Sequence, residues 1–244
     1  MKKKVAFISG SSKGIGLAIS KKLNENNFHV VLNSRKKVSK KNFKQIKEYD
    51  YILGDVTQEK SVNRIYKNFK KKNSRIDVLI CNVGLSSIKG KKLTEAKRWK
   101  MMFDQNLMSA VNLINKFKLD LIKNKTKVVF ISSITSLQHI QNAPIEYATI
   151  KAALNTYCKL LSKELGSKGV KCNNIILGNV YFKGSVWSKK SSSVIKSTLK
   201  SMITKKFITT DEVADLVLYL ISAKSSSMVG SNILLDGGQV NNLC

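Results

Sequence analysis

Short apolar runs alternate with longer stretches of helical spacing along almost the whole chain. The runs at 5–9, 28–33, 51–53, 78–81, 127–132, 171–177 and 232–235 read as strands, most of them rich enough in Val, Ile and Leu to be buried on both faces. Between them, 15–26, 58–71, 94–122, 145–165 and 211–222 set apolar residues three and four apart, the stripe of an amphipathic helix. Such alternation predicts right-handed crossovers and a parallel sheet covered by helices on both faces, a doubly wound α/β fold in one domain over 1–244. One stretch departs from the pattern: 178–206 is Ser- and Lys-rich and irregular, broken by Tyr181, Phe182, Val186 and Trp187. A long insertion of this kind in a compact fold is expected to be functional, here a lid over a substrate. In such sheets ligands bind beyond the carboxyl ends of the strands.

Composition narrows the class. At 244 residues and 43% hydrophobic the chain can bury one large core. No apolar run approaches the roughly 18 residues that span a bilayer. The basic start is followed by only a short apolar run, 5–8, which reads as a first strand and not as a leader. Cys81, Cys158, Cys172 and Cys244 show no paired spacing, and His29 and His139 are the only histidines. Neither a metal site nor a disulfide framework is expected, which fits the cytoplasm. Lys plus Arg is 44 against 15 for Asp plus Glu, a net charge of +29. Such an excess favours anionic partners. The lysines are nevertheless spread from Lys2 to Lys224 in a chain rich in Asn and Ile, which reads as a compositional bias and not as a dedicated nucleic-acid face.

Two motifs carry candidate chemistry. The first strand runs into SGSSKGIG, where Gly10, Gly14 and Gly16 permit a tight turn and close approach of a ligand to the backbone. The helix that follows offers free N–H groups and a positive dipole end to a phosphate. A glycine-rich turn between strand and helix is also simply a turn. Farther on, EYATIK places Tyr147 and Lys151 one helical turn apart on one face. A cation beside a phenol favours the phenolate and prepares it for acid–base work. In a Lys-rich chain the same spacing also arises by chance.

In order along the chain, SGSSKGIG, GDVT at 54–57, CNVG at 81–84, FDQN ending at Asn106, ISS at 131–133, YATIK and VGSNILLDGG at 229–238 resemble the motifs of the short-chain dehydrogenase/reductases. The resemblance covers nearly the whole chain and implies a Rossmann fold. It implies that Tyr147 gives or takes the proton, that Lys151 lowers the phenol pKa and bonds the nicotinamide ribose, that Ser133 donates to the substrate oxygen, and that Asn106 holds a water behind Lys151. On the residues alone, Ser133 reads rather as a hydroxyl capping a turn and Asn106 as a helix-interior side chain bonded to backbone. The resemblance also implies cofactor contacts from Gly10, Ser12, Lys13, Gly14, Ile15, Gly16, Asp55, Val56, Asn82, Gly84, Gly178 and Val180. Ser34 stands where NAD-binding members commonly carry Asp, and Arg35 and Lys13 add cations there, so NADP(H) is expected over NAD(H).

Departures from the family pattern are local. Cys81 and Val83 replace Asn and Ala, Leu177-Gly178 replaces Pro-Gly, and the Thr expected a few residues later is absent, leaving the Val180 backbone or Ser185 in its place. The loop between Ser133 and Tyr147, with His139 and Pro144, is expected to shape the substrate wall. The activity implied is interconversion of a carbonyl and a secondary alcohol, most like that of the 3-oxoacyl-acyl-carrier-protein reductases, with an acidic carrier steered by Lys123, Lys125 and Lys168. The alternatives are a sugar-derived or other polar hydroxy/keto substrate meeting Lys183, Lys189 and Lys190 in the lid, and a non-catalytic nicotinamide-binding regulator. The complete set Asn106, Ser133, Tyr147 and Lys151 weighs against the regulator. A homo-oligomer, tetramer or dimer, is implied through 94–122, 145–165 and the last strand; no membrane or specific nucleic-acid partner is expected.

Overall fold

A computed structural model describes residues 3–88 and 93–240, so Cys244 lies outside the described residues. Its strands are β1 Lys4–Ile8, β2 Phe28–Ser34, β3 Tyr49–Leu53, β4 Val78–Cys81, β5 Lys127–Ser133, β6 Lys171–Leu177, β7 Val180–Tyr181, β8 Ile208–Thr209 and β9 Asn232–Leu235. Seven of them form one parallel sheet in the order β3-β2-β1-β4-β5-β6-β9, while β7 and β8 pair with each other. The helices are α1 Gly14–Glu25, α2 Glu59–Lys72, α3 Glu95–Phe103, α4 Ser109–Asn124, α5 Ile145–Gly166, α6 Ser192–Lys200 and α7 Thr210–Ile221.

All four residues of β4 are buried, as a strand covered on both faces requires. Neighbours along a strand go to opposite cores. Phe7 packs with α2, α4 and α5 through Phe69, Phe117 and Leu154, whereas Ile8 packs with α1 and α7 through Ile19, Leu23 and Val217. From β1 the chain builds outward to β3, then returns to place β4 on the other side of β1. This reversal opens a crevice above the carboxyl ends of β1 and β4, where doubly wound sheets bind ligands.

Two expectations about elements are corrected. The single helix expected over 94–122 is α3, a π-helical turn at Asp104–Met108, and α4. Within the turn, Asn106 Nδ2 donates to the Met102 carbonyl at 3.0 Å and reaches outward to Leu85, a competition with the regular ladder that accompanies such bulges. The segment 178–206 is not irregular throughout: it contains β7, a short 3₁₀ turn at Trp187–Lys189, and α6, whose N-terminus is capped by Ser191. No residue of α6 is buried, and its few apolar residues sit among Ser and Lys, so the stretch read as irregular.

The expected placement of the carrier-steering cations is also corrected. Lys123 and Lys125 precede β5, and Lys168 precedes β6, so all three stand at the amino edge of the sheet. The Ser133 and Gly178 ends of those strands lie about 20 Å away, at a rise of about 3.3 Å per residue. These lysines therefore do not flank the cleft at the carboxyl ends of the strands.

Candidate active site

The glycine turn is held from both sides. Gly10 and Gly14 have φ of +65° and +56°, which glycine adopts without strain. A Cβ on Gly16 would fall 2.5 Å from the Gly10 carbonyl oxygen, so the turn and α1 pack backbone to backbone. Asn82 Nδ2 donates to the carbonyls of Ser9 at 3.0 Å and Gly10 at 3.1 Å, tying the turn to β4. On the other side, Ser11 N–H donates to the Asn33 carbonyl and Ser11 Oγ accepts from Asn33 N–H. The N-cap residue of α1, Lys13, makes no side-chain capping bond, and the first turn carries no acidic residue. The first N–H groups of α1 therefore keep their capacity for an anion.

At the end of β5, Ser133 caps the turn Ile134–Ser136, accepting from Thr135 N–H at 3.3 Å and from the Thr135 hydroxyl at 3.1 Å. Its hydroxyl stands near enough to Tyr147 to favour the phenolate. Ser133 is thus both the turn cap and the partner of the phenol. One turn along α5, Lys151 is 3% exposed; its Nζ donates to the Ile131 carbonyl at 2.8 Å and lies 5.8 Å from the centre of the Tyr147 ring. Beside it, Gly84 leaves room that a side chain would take, since a Cβ there would stand 3.1 Å from Asn106 Oδ1 and 3.4 Å from Lys151 Nζ. The buried Glu146 carboxylate, paired with Arg98 at 3.0 Å, fixes the first turn of α5 to α3.

Burial sets the electrostatics. It pushes the Tyr147 phenol up, and the hydrogen bond from Ser133 pulls it down by less, so the phenol titrates above its usual range. Tyr147 is partly open to the cleft, which makes this push smaller than that of a sealed group. The lowering by Lys151 that the spacing and the resemblance implied is therefore outweighed. Lys151 itself is held down at about 8 by burial, and remains mostly protonated at neutral pH. Asn106 is committed to backbone: Nδ2 donates to the carbonyls of Leu85 and Met102 at 3.0 Å, and Oδ1 accepts from Leu85 N–H at 3.0 Å. It clamps the segment after β4 against the π-helical turn.

The sequence reading missed the layer behind these groups. Asn155, one turn beyond Lys151 on α5, accepts from Ser132 Oγ at 2.6 Å and from Asn174 Nδ2 at 2.8 Å, and donates to Ser136 Oγ at 2.8 Å. A polar residue in the inward stripe of α5 was the available signal. Replacing Asn155 with Ala leaves the buried Ser132 and Asn174 and the half-buried Ser136 without this partner, so a loss of about 2–4 kcal/mol is expected in urea unfolding. A change below about 0.5 kcal/mol would remove the network from the account.

A cleft of about 1000 Å³ lies over this assembly. Of the predicted residues, Ile15, Asn82, Gly84, Ser133, Tyr147, Lys151, Gly178 and Val180 line it. His139 and Pro144 form part of its wall, and Trp187, Lys190 and Val194 of the 178–206 segment cover its far side. Ser185 also lines it, although its Oγ accepts from the N–H groups of Phe182 and Ser188 in its own turn. Asp55 lies apart, in a second cavity of about 370 Å³ with Thr57 and Lys100; its Oδ1 accepts from Thr57 N–H and hydroxyl. Val56 is buried in the core, so only its backbone is available. At the end of β2, Ser34 Oγ donates to the Lys36 carbonyl at 2.6 Å and shares a hydrogen with Tyr51, while Arg35 and Lys13 are exposed. Ser12, Gly10, Gly14 and Gly16 form the turn and do not line the cleft; over Gly14 lies the ring of Phe182.

These features have counterparts among known proteins. A family model described as Enoyl-(Acyl carrier protein) reductase matches residues 10–239. The chain belongs to the short-chain dehydrogenase/reductase family. It is 30% identical over 250 residues to the 3-oxoacyl-(acyl-carrier-protein) reductase FabG of Buchnera aphidicola subsp. Baizongia pistaciae, covering 97% of each chain. To the enzyme of the same name from Buchnera aphidicola subsp. Acyrthosiphon pisum it is 28% identical over 243 residues, again with 97% of each covered. The fold is also that of L-sorbose reductase from Gluconobacter frateurii, solved with NADPH and L-sorbose: TM-score 0.88, 23% identity, 99% of this chain and 98% of that one. Membership in the short-chain dehydrogenase/reductases makes the chain an oxidoreductase of the nicotinamide-binding kind. Among the described residues no helix is long and apolar enough to cross a membrane.

Proposed function

We propose that this short-chain dehydrogenase/reductase interconverts a carbonyl and a secondary alcohol with NADP(H), with a 3-oxoacyl thioester as its substrate. The observation that carries the reading is the meeting of Ser133, Tyr147 and Lys151 in one cleft beside Gly84, next to an uncapped helix N-terminus. The nicotinamide cofactor supplies or accepts the hydride. The chain's groups do the rest. Tyr147 gives a proton to the carbonyl oxygen in reduction and takes it from the alcohol in oxidation; Ser133 steadies the same oxygen through its hydroxyl, supported by Thr135. Lys151 supplies fixed positive charge beneath the phenol, and Asn106 acts as a positioning residue for the segment at Gly84.

NADP(H) is favoured because β2 ends in Ser34 and not in a carboxylate, with Arg35 and Lys13 exposed beside it. A guanidinium that bonds a 2′-phosphate contributes about 1.5–3 kcal/mol. Arg35→Ala is therefore expected to weaken NADPH binding by about tenfold or more while leaving NADH binding nearly unchanged. Equal effects on the two nicotinamides, measured by fluorescence titration, would place Arg35 outside the cofactor site.

The thioester reading is supported by the names of the two Buchnera relatives. Sugar-derived substrates are the second reading, supported by a cleft wall with Ser86, Thr135, Gln138, Asn142 and Ser197. Lys190 at that wall suits either an anionic carrier-borne group or a phosphorylated sugar. We also propose a cytoplasmic homo-oligomer, on the exposed apolar residues Phe103, Leu119 and Leu160 of α3, α4 and α5.

A further inference from the structure

Phe182 follows β7 and lies against α1. A Cβ built on Gly14 would come within 2.6 Å of the ring's Cε2 and Cζ, so the far edge of the phenyl rests on the first residue of α1. The N–H groups at this end lack a side-chain cap, and a hydrocarbon ring returns no acceptor to them. The ring thus covers the Cβ side of Gly14.

The neighbouring chain is closely packed on one side of Phe182 and open on the other. Gly178 is fixed, since a Cβ there would stand 2.7 Å from Asp236 Cα. Gly184, at φ +90°, has nothing within 4 Å of its Cβ position, and the turn between it and Phe182 is closed by Ser185 N–H donating to the Phe182 carbonyl at 2.9 Å. Beside Phe182, Tyr181 stacks on Phe207 at 5.7 Å, and Trp187 leans on the same ring at 5.3 Å. Displacing Phe182 therefore disturbs an aromatic trio that includes a tryptophan of the cleft wall.

We propose that Phe182 gates the dinucleotide site: its ring covers the N-terminus of α1 and has to withdraw, with the turn pivoting at Gly184, before a diphosphate reaches the Gly14 and Ile15 N–H groups. The inference rests on the nicotinamide-binding reading of the cleft. A gate of this kind lowers apparent affinity by the fraction of molecules in which it is open, and it inserts a conformational step before tight binding.

The test is stopped-flow binding of NADPH to the wild type, Phe182→Ala and Phe182→Leu, each checked by thermal unfolding. The wild type is expected to show an observed rate that levels off at high NADPH, and Phe182→Ala to show a linear rate and affinity tighter by about tenfold. In a Trp99→Phe background, emission from Trp187, the remaining tryptophan, is expected to change at the rate of the slow wild-type step. Phe182→Leu keeps apolar volume and is expected to fall between the two; if the Ala variant does not fold, the Leu variant decides by the same criterion. Unchanged or weaker binding in the variants, with linear wild-type kinetics, overturns the gate while the cofactor reading stands. Failure of all three proteins to bind either nicotinamide removes the cofactor reading and the gate together.

Discussion

Tyr147→Phe is expected to lower carbonyl reduction by about 10³-fold while changing NADPH affinity by no more than about twofold. The variant keeps the ring and removes one hydroxyl, so the cleft holds its shape and the transferable proton is lost. The pH profile gives a second, signed expectation. In reduction the phenol must carry its proton, and burial holds its pKa above the usual value. The reduction rate of the wild type should therefore stay level through neutral pH and fall only on the alkaline side. In oxidation the phenolate is the active form, so the rate should rise with pH over the same range. A variant with near-wild-type turnover, or a reduction rate that falls through pH 6–7, would assign the proton to another group.

Lys151→Met is expected to abolish most activity, by about 10²-fold or more, and yet to leave the protein as stable or more stable at neutral pH. The ammonium is 3% exposed, and its pKa falls from 10.5 to about 8 through burial. Below pH 8 it is protonated in both folded and unfolded chains, and the folded state bears the full desolvation penalty, on the order of 3 kcal/mol. Between about pH 8 and 10.5 the unfolded chain binds more protons than the folded one, so wild-type stability contributed by this group rises with pH. Methionine removes the penalty and also the hydrogen bond to the Ile131 carbonyl, which offsets about 1–2 kcal/mol of the gain. The advantage of the variant should therefore be greatest near pH 6 and shrink toward pH 10. Denaturant unfolding at several pH values measures it. A variant that is less stable at pH 6 and catches up at high pH would reverse the argument.

Much of the fold was legible because the sheet strands are short, apolar and regularly interrupted. β4, β6 and β9 fall at the positions that the runs at 78–81, 171–177 and 232–235 predicted. What escaped was made by contacts distant in sequence. β7 and β8 are two residues each and exist through one another. α6 buries no residue, and its short apolar set, Val194, Ile195 and Leu199, is embedded in a Ser- and Lys-rich stretch that reads as loop. The π-helical turn is invisible to periodicity because the apolar stripe continues into α4; it is accompanied by side-chain bonds of Asn106 to Met102 and Leu85.

At the site, the motifs located Ser133, Tyr147 and Lys151, but not the balance between them. Helical spacing brings the ammonium near the phenol; only burial, which spacing does not contain, keeps the phenol pKa up. Asn155 sat unnoticed in the stripe that the pattern assigned to the core. Phe182 read as an aromatic in a polar insertion, and its contact with Gly14 joins parts of the chain that no local pattern relates.

The most direct test of the central claim is NADPH oxidation by the purified protein with 3-oxoacyl thioesters and keto sugars offered separately, run beside Tyr147→Phe. NADPH-dependent turnover with the thioesters is expected, collapsing in the variant. Turnover with neither class in either direction, although NADPH binds, would contradict the claim.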